Sequence, residues 1–309
     1  MNYDALLLVS FGGPEKNEDV IPFLENVLRG RNVPRERMLA VAEHYFHFGG
    51  RSPINDQCRE LIAALENAGV GLPVYWGNRN WHPMLGDTVR RMKEDGVRHV
   101  LAVATSAFGS YSGCRQYRED IEAARASVEA APPIDKLPPF WSDSDFVEAM
   151  ADRVRDALER LPAAEVVYTA HSIPVSMAQS SPYERQLREA ARRVNAALGR
   201  GEPEFAWQSR SGPPTQPWLE PDIGDYIRAS AAKRLVVAPI GFLSDHMEVI
   251  YDLDFEAAAL AQERGIELVR AGTVGVHPKF VTGLTRLVRA AMAEGMAPCA
   301  PGCCPRPAR

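Results

Sequence analysis

Three observations predict an α/β fold of two similar Rossmann-like domains, each built on a parallel sheet. Short apolar runs alternate with amphipathic stretches along all 309 residues, the rhythm of strand-helix units in a parallel sheet. Three strand ends of the first half recur in the same order in the second half. The length also suits about two domains.

Taken in order, the apolar runs place strands near 4–10, 73–77, 98–105, 165–170, 204–208, 234–239 and 266–270. Apolar residues recurring at helical spacing place helices near 17–29, 34–47, 53–68, 83–95, 115–129, 145–160, 183–198, 221–231, 249–264 and 278–294. Gly49-Gly50 closes one helix, and Ser52-Pro53 opens the next as cap and first-turn proline. Pro138-Pro139 reads as a linker. The expected division is therefore 1–138, then 139–298 with its last helix free to pack back on the first half, then a Cys-rich tail at 299–309.

The duplication is specific. LPVYWGNRN (72–80) resembles EPEFAWQSRSG (202–212), each a strand ending in Trp followed by polar residues and an Arg. VRHVLAVATSAFGSYS (97–112) resembles AKRLVVAPIGFLSDHM (232–247), and ALLLVSFGGP (5–14) parallels VVYTAHSIP (166–174). Two such sheets are expected to face each other across a cleft, with these loops at the carboxyl ends of the strands, where open parallel sheets bind ligands.

Composition excludes several classes. With 46% hydrophobic and 24% charged residues the chain can bury a core, and its net charge of −5 argues against nucleic acid. MNYDALLLVS lacks a basic leader, and no uncharged apolar run reaches the ~18 residues that span a bilayer. A cytoplasmic monomer without stable membrane insertion is expected. GGP at 12–14 is a turn of close backbone approach; neither nucleotide-binding fingerprint is present.

Chemistry concentrates at two strand ends of the second half. One closes on His171; the other closes on Asp245, His246 and Glu248, and continues with Asp252 and Glu256. On a helix, Glu248, Asp252 and Glu256 share one face, and such a like-charged stripe needs a cation, protons or water beside it. A histidine after a strand is more often structural, and an acidic stripe is often just a solvated face. Their convergence on one half shifts the balance toward proton and metal handling.

The stretches LLLVSFGGP, FGGRSPIND, GNRNWHP, HSIP, WQSRSGPPTQPWLEP and GFLSDHMEVIYDLD, in order from residue 6 to 254, resemble the ferrochelatases, enzymes that insert ferrous iron into a porphyrin. The resemblance implies a chelatase-type fold of two α/β domains around a porphyrin cleft. It implies His171 as the active-site imidazole that accepts pyrrole protons or hands over iron. Glu248 would be its partner carboxylate across the pocket, and Asp252 and Glu256 a path for protons or hydrated metal. Asp245 and His246 would orient that loop. Phe11, Tyr111, Trp207 and Trp218 are candidates for shaping the porphyrin pocket, although core packing explains each Trp equally well. Ser52 and the arginines Arg29 and Arg31 are further substrate-binding candidates, guanidinium forks being suited to propionates.

The wording of FLENVLRGR, EHYFHFGG, VYWGNRNW, SYSGCRQYRED and SDHMEVIYDLD is most similar to actinobacterial members, which use coproporphyrin III. Protoporphyrin IX is the alternative substrate, and a non-catalytic tetrapyrrole or iron–sulfur binding protein is a second reading. Where relatives from Firmicutes carry a Tyr able to ligate product iron, this chain has Phe11, so His171 becomes the expected axial contact. Some ferrochelatases also hold a [2Fe–2S] cluster. The resemblance implies Cys114 as its internal ligand and Cys299, Cys303 and Cys304 as the other three, with zinc a competitor on spacing alone. Cys58, inside INDQCREL, reads as core.

Overall fold

The computed structural model describes residues 3–30, 32–212, 215–296, 299 and 302–306. Among the described residues, eight strands form two four-stranded parallel sheets. The first sheet has the order β2-β1-β3-β4, from β1 (Ala5–Ser10), β2 (Val74–Asn78), β3 (Val100–Ala104) and β4 (Ile134–Lys136). The second has the order β6-β5-β7-β8, from β5 (Glu165–His171), β6 (Glu204–Gln208), β7 (Arg234–Ala238) and β8 (Glu267–Arg270). The identical order is the duplication seen in the sequence, and it pairs β1 with β5, β2 with β6 and β3 with β7. The correspondence reaches the loops: Asn78 N donates to Pro83 O at 2.7 Å, and Trp207 N to Pro221 O at 2.8 Å.

The central strands ALLLVS, VLAVA and RLVVA are almost wholly apolar because helices cover both faces of a parallel sheet. In the first sheet Leu7, Val9 and Ala102 pack on Leu85, Val89 and Met92 from the helix Leu85–Glu94 and on Tyr117 and Ile121 from Gln116–Ala126. In the second, Val167, Leu235 and Val237 pack on Ile223 and Ile227 and on Val249, Leu253 and Ala257. Each fully buried aliphatic side chain contributes about 1.5–3 kcal/mol of transfer free energy. Burying Leu253 and Val249 is therefore what seats the carboxylate-bearing segment on the sheet.

The chain divides into two compact units. One comprises residues 1–105, 117–137 and 285–296; the other comprises 106–116, 138–284 and 297–309. The segment around Cys114 thus groups with the second unit, and the end of the helix Pro278–Glu294 with the first.

Three elements differ from expectation. β4 is a strand of only three residues between prolines, too short to show alternation. A short helix, Val175–Gln179, follows HSIP. The stretch read as one α-helix over 249–264 starts as α at Met247–Val249, is π-helical over Ile250–Ala257 and returns to α at Ala258–Glu263. A second π-helical turn spans Tyr111–Arg115, its Ser110 cap accepting from Gly113 N at 2.8 Å. Single π turns inside helices recur at functional sites.

Candidate functional site

The second unit brings together the residues that the sequence singles out. His171 ends β5, paired in register with Gln208 at the end of β6. After β7 the chain turns through Gly241, where a Cβ would collide with Ala170, so only glycine lets this loop cross the end of β5. The turn delivers Asp245, His246 and Glu248.

His171 Nδ1 donates to the carbonyl of its neighbour Ser172. That fixes the ring and leaves Nε2 pointing at Glu248 Oε1, 3.6 Å away. Tyr183 Oη donates to His171 O at 3.1 Å, and Gln208 Nε2 donates to Glu248 O at 2.8 Å, so both partners are held through their backbones. Glu248 N donates to His246 Nδ1 at 3.2 Å, which makes His246 the cap of the segment. Ser209, at a left-handed φ of 60°, donates from Oγ to Asp252 Oδ2.

The electrostatics follow from crowding. Burial alone would discharge His171, but the Glu248 carboxylate, the Ser172 carbonyl and Asp252 outweigh it and hold the imidazole pKa above its ordinary value. Burial opposes ionisation of Glu248 too, yet His171 and His246 bring its pKa down to about 2. Burial pushes Asp252 up to about 7, with Glu248 and Glu256 adding repulsion against the opposing Ser209 hydroxyl. Burial and Asp222 raise Glu256. Burial lowers His246. The result is one imidazole drawn toward its cationic form, one firmly ionised carboxylate and one carboxyl that titrates at neutrality. The Glu248 side chain remains 48% exposed, so a solvated ion can reach it.

Among the described residues no group of three or more His, Cys, Asp or Glu is arranged to hold a metal ion. His171 and Glu248 are two ligands in contact, which leaves most coordination positions of a bound ion open.

Other expectations need correction. His171 and Glu248 do not lie on opposite sides of a pocket, since no macrocycle fits between groups 3.6 Å apart. Trp207 is 0% exposed and packs against Phe205 and Tyr183, so core packing is its role and it offers no ring face to a ligand. Trp218 is buried beneath Gly212. Ser52 is buried but caps nothing: the helix Ile54–Asn67 has Pro53 at its cap, and Ser52 N donates to Pro14 O at 2.9 Å.

The first unit carries Phe11, half-buried against Phe23, with the Arg79 guanidinium 5.7 Å from its ring centre. Arg79 is also paired with Asp120 and lies 4.6 Å from the Tyr117 ring. Arg29 is exposed and bonded to Asn26. Arg31 lies outside the described residues. Tyr111, in the second unit, has the Arg306 guanidinium 5.6 Å over its ring.

Cys114, Cys303 and Cys304 lie near one another. Cys114 and Cys304 are buried and share a thiol hydrogen bond, Cys303 Sγ is 3.5 Å from Cys304 Sγ, and Cys299 is half-buried. Arg115 Nη1 donates to Cys303 O at 3.5 Å. The Cys114 hydrogen bond, burial and Cys303 together push the Cys304 thiol well up. Cys58 is 3% exposed, in the core.

The ferrochelatase family profile matches residues 3–292. The chain belongs to the ferrochelatase family. A curated relative named ferrochelatase, from Rhodopirellula baltica, is 55% identical over 300 residues, covering 93% of this chain and 86% of that one. A coproporphyrin III ferrochelatase from Nocardia farcinica is 50% identical over 342 residues, covering 98% of this chain and 97% of the relative. Among solved structures, the sirohydrochlorin chelatase SirB from Bacillus subtilis aligns over 95% of this ferrochelatase-family chain and 96% of its own, with a TM-score of 0.58 and 14% identity. That likeness concerns the fold. Gln208 and Ser209, which hold Glu248 and Asp252, were not singled out from the sequence, although both lie in the family stretch WQSRSG.

Proposed function

We propose that this chain inserts ferrous iron into coproporphyrin III, releasing two protons and forming coproheme for haem synthesis. The observation that carries the reading is the His171–Glu248 pair at 3.6 Å in a chain matching the ferrochelatase profile from 3 to 292. The relatives named for coproporphyrin III support the choice of porphyrin.

The chemistry follows from the pair. Before iron arrives, the Glu248 carboxylate favours a proton on His171. An approaching ferrous ion displaces that proton, since a histidine ligand must be neutral. Two ligands hold the ion weakly enough to release it, and its open positions admit the pyrrole nitrogens as they displace water. Each pyrrole N–H surrenders its proton as the metal enters the ring. His171 Nε2, freed as the ion leaves it, is the acceptor, the Glu248 carboxylate stabilises the imidazolium so formed, and Asp252, titrating near 7, passes protons toward Glu256 and solvent. Exposing the nitrogen lone pairs requires a bent macrocycle, a use of binding energy to approach the transition state. Phe11, Arg29, Arg31 and Tyr111 remain the candidates for holding the ring and its carboxylates.

Cys114, Cys299, Cys303 and Cys304 would hold a [2Fe–2S] cluster. The Cys304 thiol touches both Cys114 and Cys303, and its raised pKa reflects neighbours that disfavour its ionisation; thiols so placed would be stabilised as thiolates by a cationic cluster. A cluster there supplies one-electron redox chemistry or a covalent staple between the tail and the Cys114 turn.

No helix among the described residues is long and apolar enough to cross a membrane. A cytoplasmic setting and a monomeric state complete the reading. Anaerobic steady-state assays with ferrous iron and either coproporphyrin III or protoporphyrin IX test it. The expected result is a higher kcat/KM on coproporphyrin III, and in His171→Ala intact porphyrin binding with insertion slowed roughly 10²–10⁴-fold. A preference for protoporphyrin IX overturns the substrate; unchanged turnover in the variant overturns the site.

A further inference from the structure

We infer that Arg270 is a positioning residue for metal insertion, one guanidinium clamping both flanks of the segment that carries Glu248 and Asp252. Arg270 is the last residue of β8, in register with Val237 of β7, and its side chain is 15% exposed. Nε and Nη2 donate to Asp254 Oδ1 and Oδ2 at 2.6 and 2.9 Å, a two-pronged fork. Nη1 donates to Asp245 Oδ1 at 2.9 Å and to Ala271 O at 3.3 Å. All three guanidinium nitrogens are therefore engaged.

The two carboxylates bracket the chemistry. Asp245 precedes Glu248 by three residues, and Asp254 follows Asp252 by two. The same segment is held from the other side by Gln208 on Glu248 O and by Ser209 on Asp252. β6 and β8 are the two edges of the second sheet, so the segment is tied to both edges at once. Asp245, Glu248, Asp252, Asp254 and Glu256 put five carboxyl groups into twelve residues. Arg270 neutralises the two that flank the working ones. Without it, their repulsion acts on a π-helical stretch whose hydrogen-bond pattern is already the rarer one. Lysine cannot replace the fork, because a point charge reaches one partner at a time.

The inference rests on the reading that His171 and Glu248 handle the metal, and acts through their geometry rather than by contact with substrate. The test compares Arg270→Ala, Arg270→Lys and Asp254→Asn with the parent protein. Three quantities are measured: iron-insertion kcat and KM, coproporphyrin binding by fluorescence, and zinc affinity by calorimetry. In Arg270→Ala, kcat per folded molecule is expected to fall roughly ten- to a hundred-fold, the loss typical of a displacement near 1 Å. Coproporphyrin binding should stay within about two-fold, and added methylguanidinium should restore part of kcat. Arg270→Lys should lie between.

An Arg270→Ala protein that melts earlier but turns over normally per folded molecule, with no rescue, overturns the inference. Should that variant fail to fold, Asp254→Asn, which keeps the guanidinium and its Asp245 bond, decides by the same readouts. If the parent protein itself inserts no iron, the functional reading fails. Zinc affinity then judges Arg270 alone: roughly ten-fold weaker binding in Arg270→Ala upholds the clamp, and equal binding overturns it.

Discussion

At the residue scale, the acid limb of the pH profile is set by groups that Glu248 controls. Below its elevated pKa, His171 carries a proton that excludes metal, and below about 7 Asp252 is protonated and cannot relay. Insertion should therefore rise with pH through neutrality. Glu248→Gln removes the anion that lifts His171 and leaves burial to lower it. The acid limb should then move to lower pH while the plateau rate falls, read from kcat/KM for ferrous iron against pH. An acid limb that stays in place would mean that His171 is not the titrating group. His171 and Glu248 were legible because their strand-end motifs are distinctive. Their mutual contact was not, since sequence order says which residues share a sheet end but not how two side chains meet. Trp207 was ambiguous for a related reason: a Trp at a strand end suits a pocket wall and a core equally, and only the packing of Phe205 and Tyr183 around it decides.

At the scale of elements, the π-helix and the glycine turn before it are one device. Val249, Leu253 and Ala257 are buried against the sheet at four-residue spacing, which an α-helix reading also satisfies. The i to i+5 hydrogen bonds of Ile250–Ala257 therefore left no trace in the hydrophobic pattern. Gly241→Ala would press a methyl group into Ala170, next to His171. We expect a loss of about 1–3 kcal/mol of stability from overpacking, measured by urea denaturation, together with a disproportionate loss of insertion. Wild-type stability in that variant would show that the loop can yield. β4 was missed because three residues between prolines carry no period, whereas β3 beside it was found from its continuous apolar run VLAVA.

At the scale of the whole molecule, the duplication was the most legible feature. Three matched strand ends in the sequence became two sheets of identical strand order. The crowding of cysteines in the tail was legible, but composition alone cannot separate iron–sulfur from zinc. Protein purified without oxygen should show visible sulfur-to-iron charge-transfer bands and about two extra irons per chain, both lost in Cys114→Ser and in Cys304→Ser. Stoichiometric zinc without those bands would replace the cluster reading.

The first unit is not made of the first half of the chain alone. Residues 285–296 group with it, and Arg289 Nη2 donates to Gly69 O. During synthesis, the amino-terminal sheet emerges long before the piece that finishes its packing. That unit must wait until residues 285–296 have left the ribosome before it is complete, so a chain cut short before residue 285 loses part of its amino-terminal unit as well.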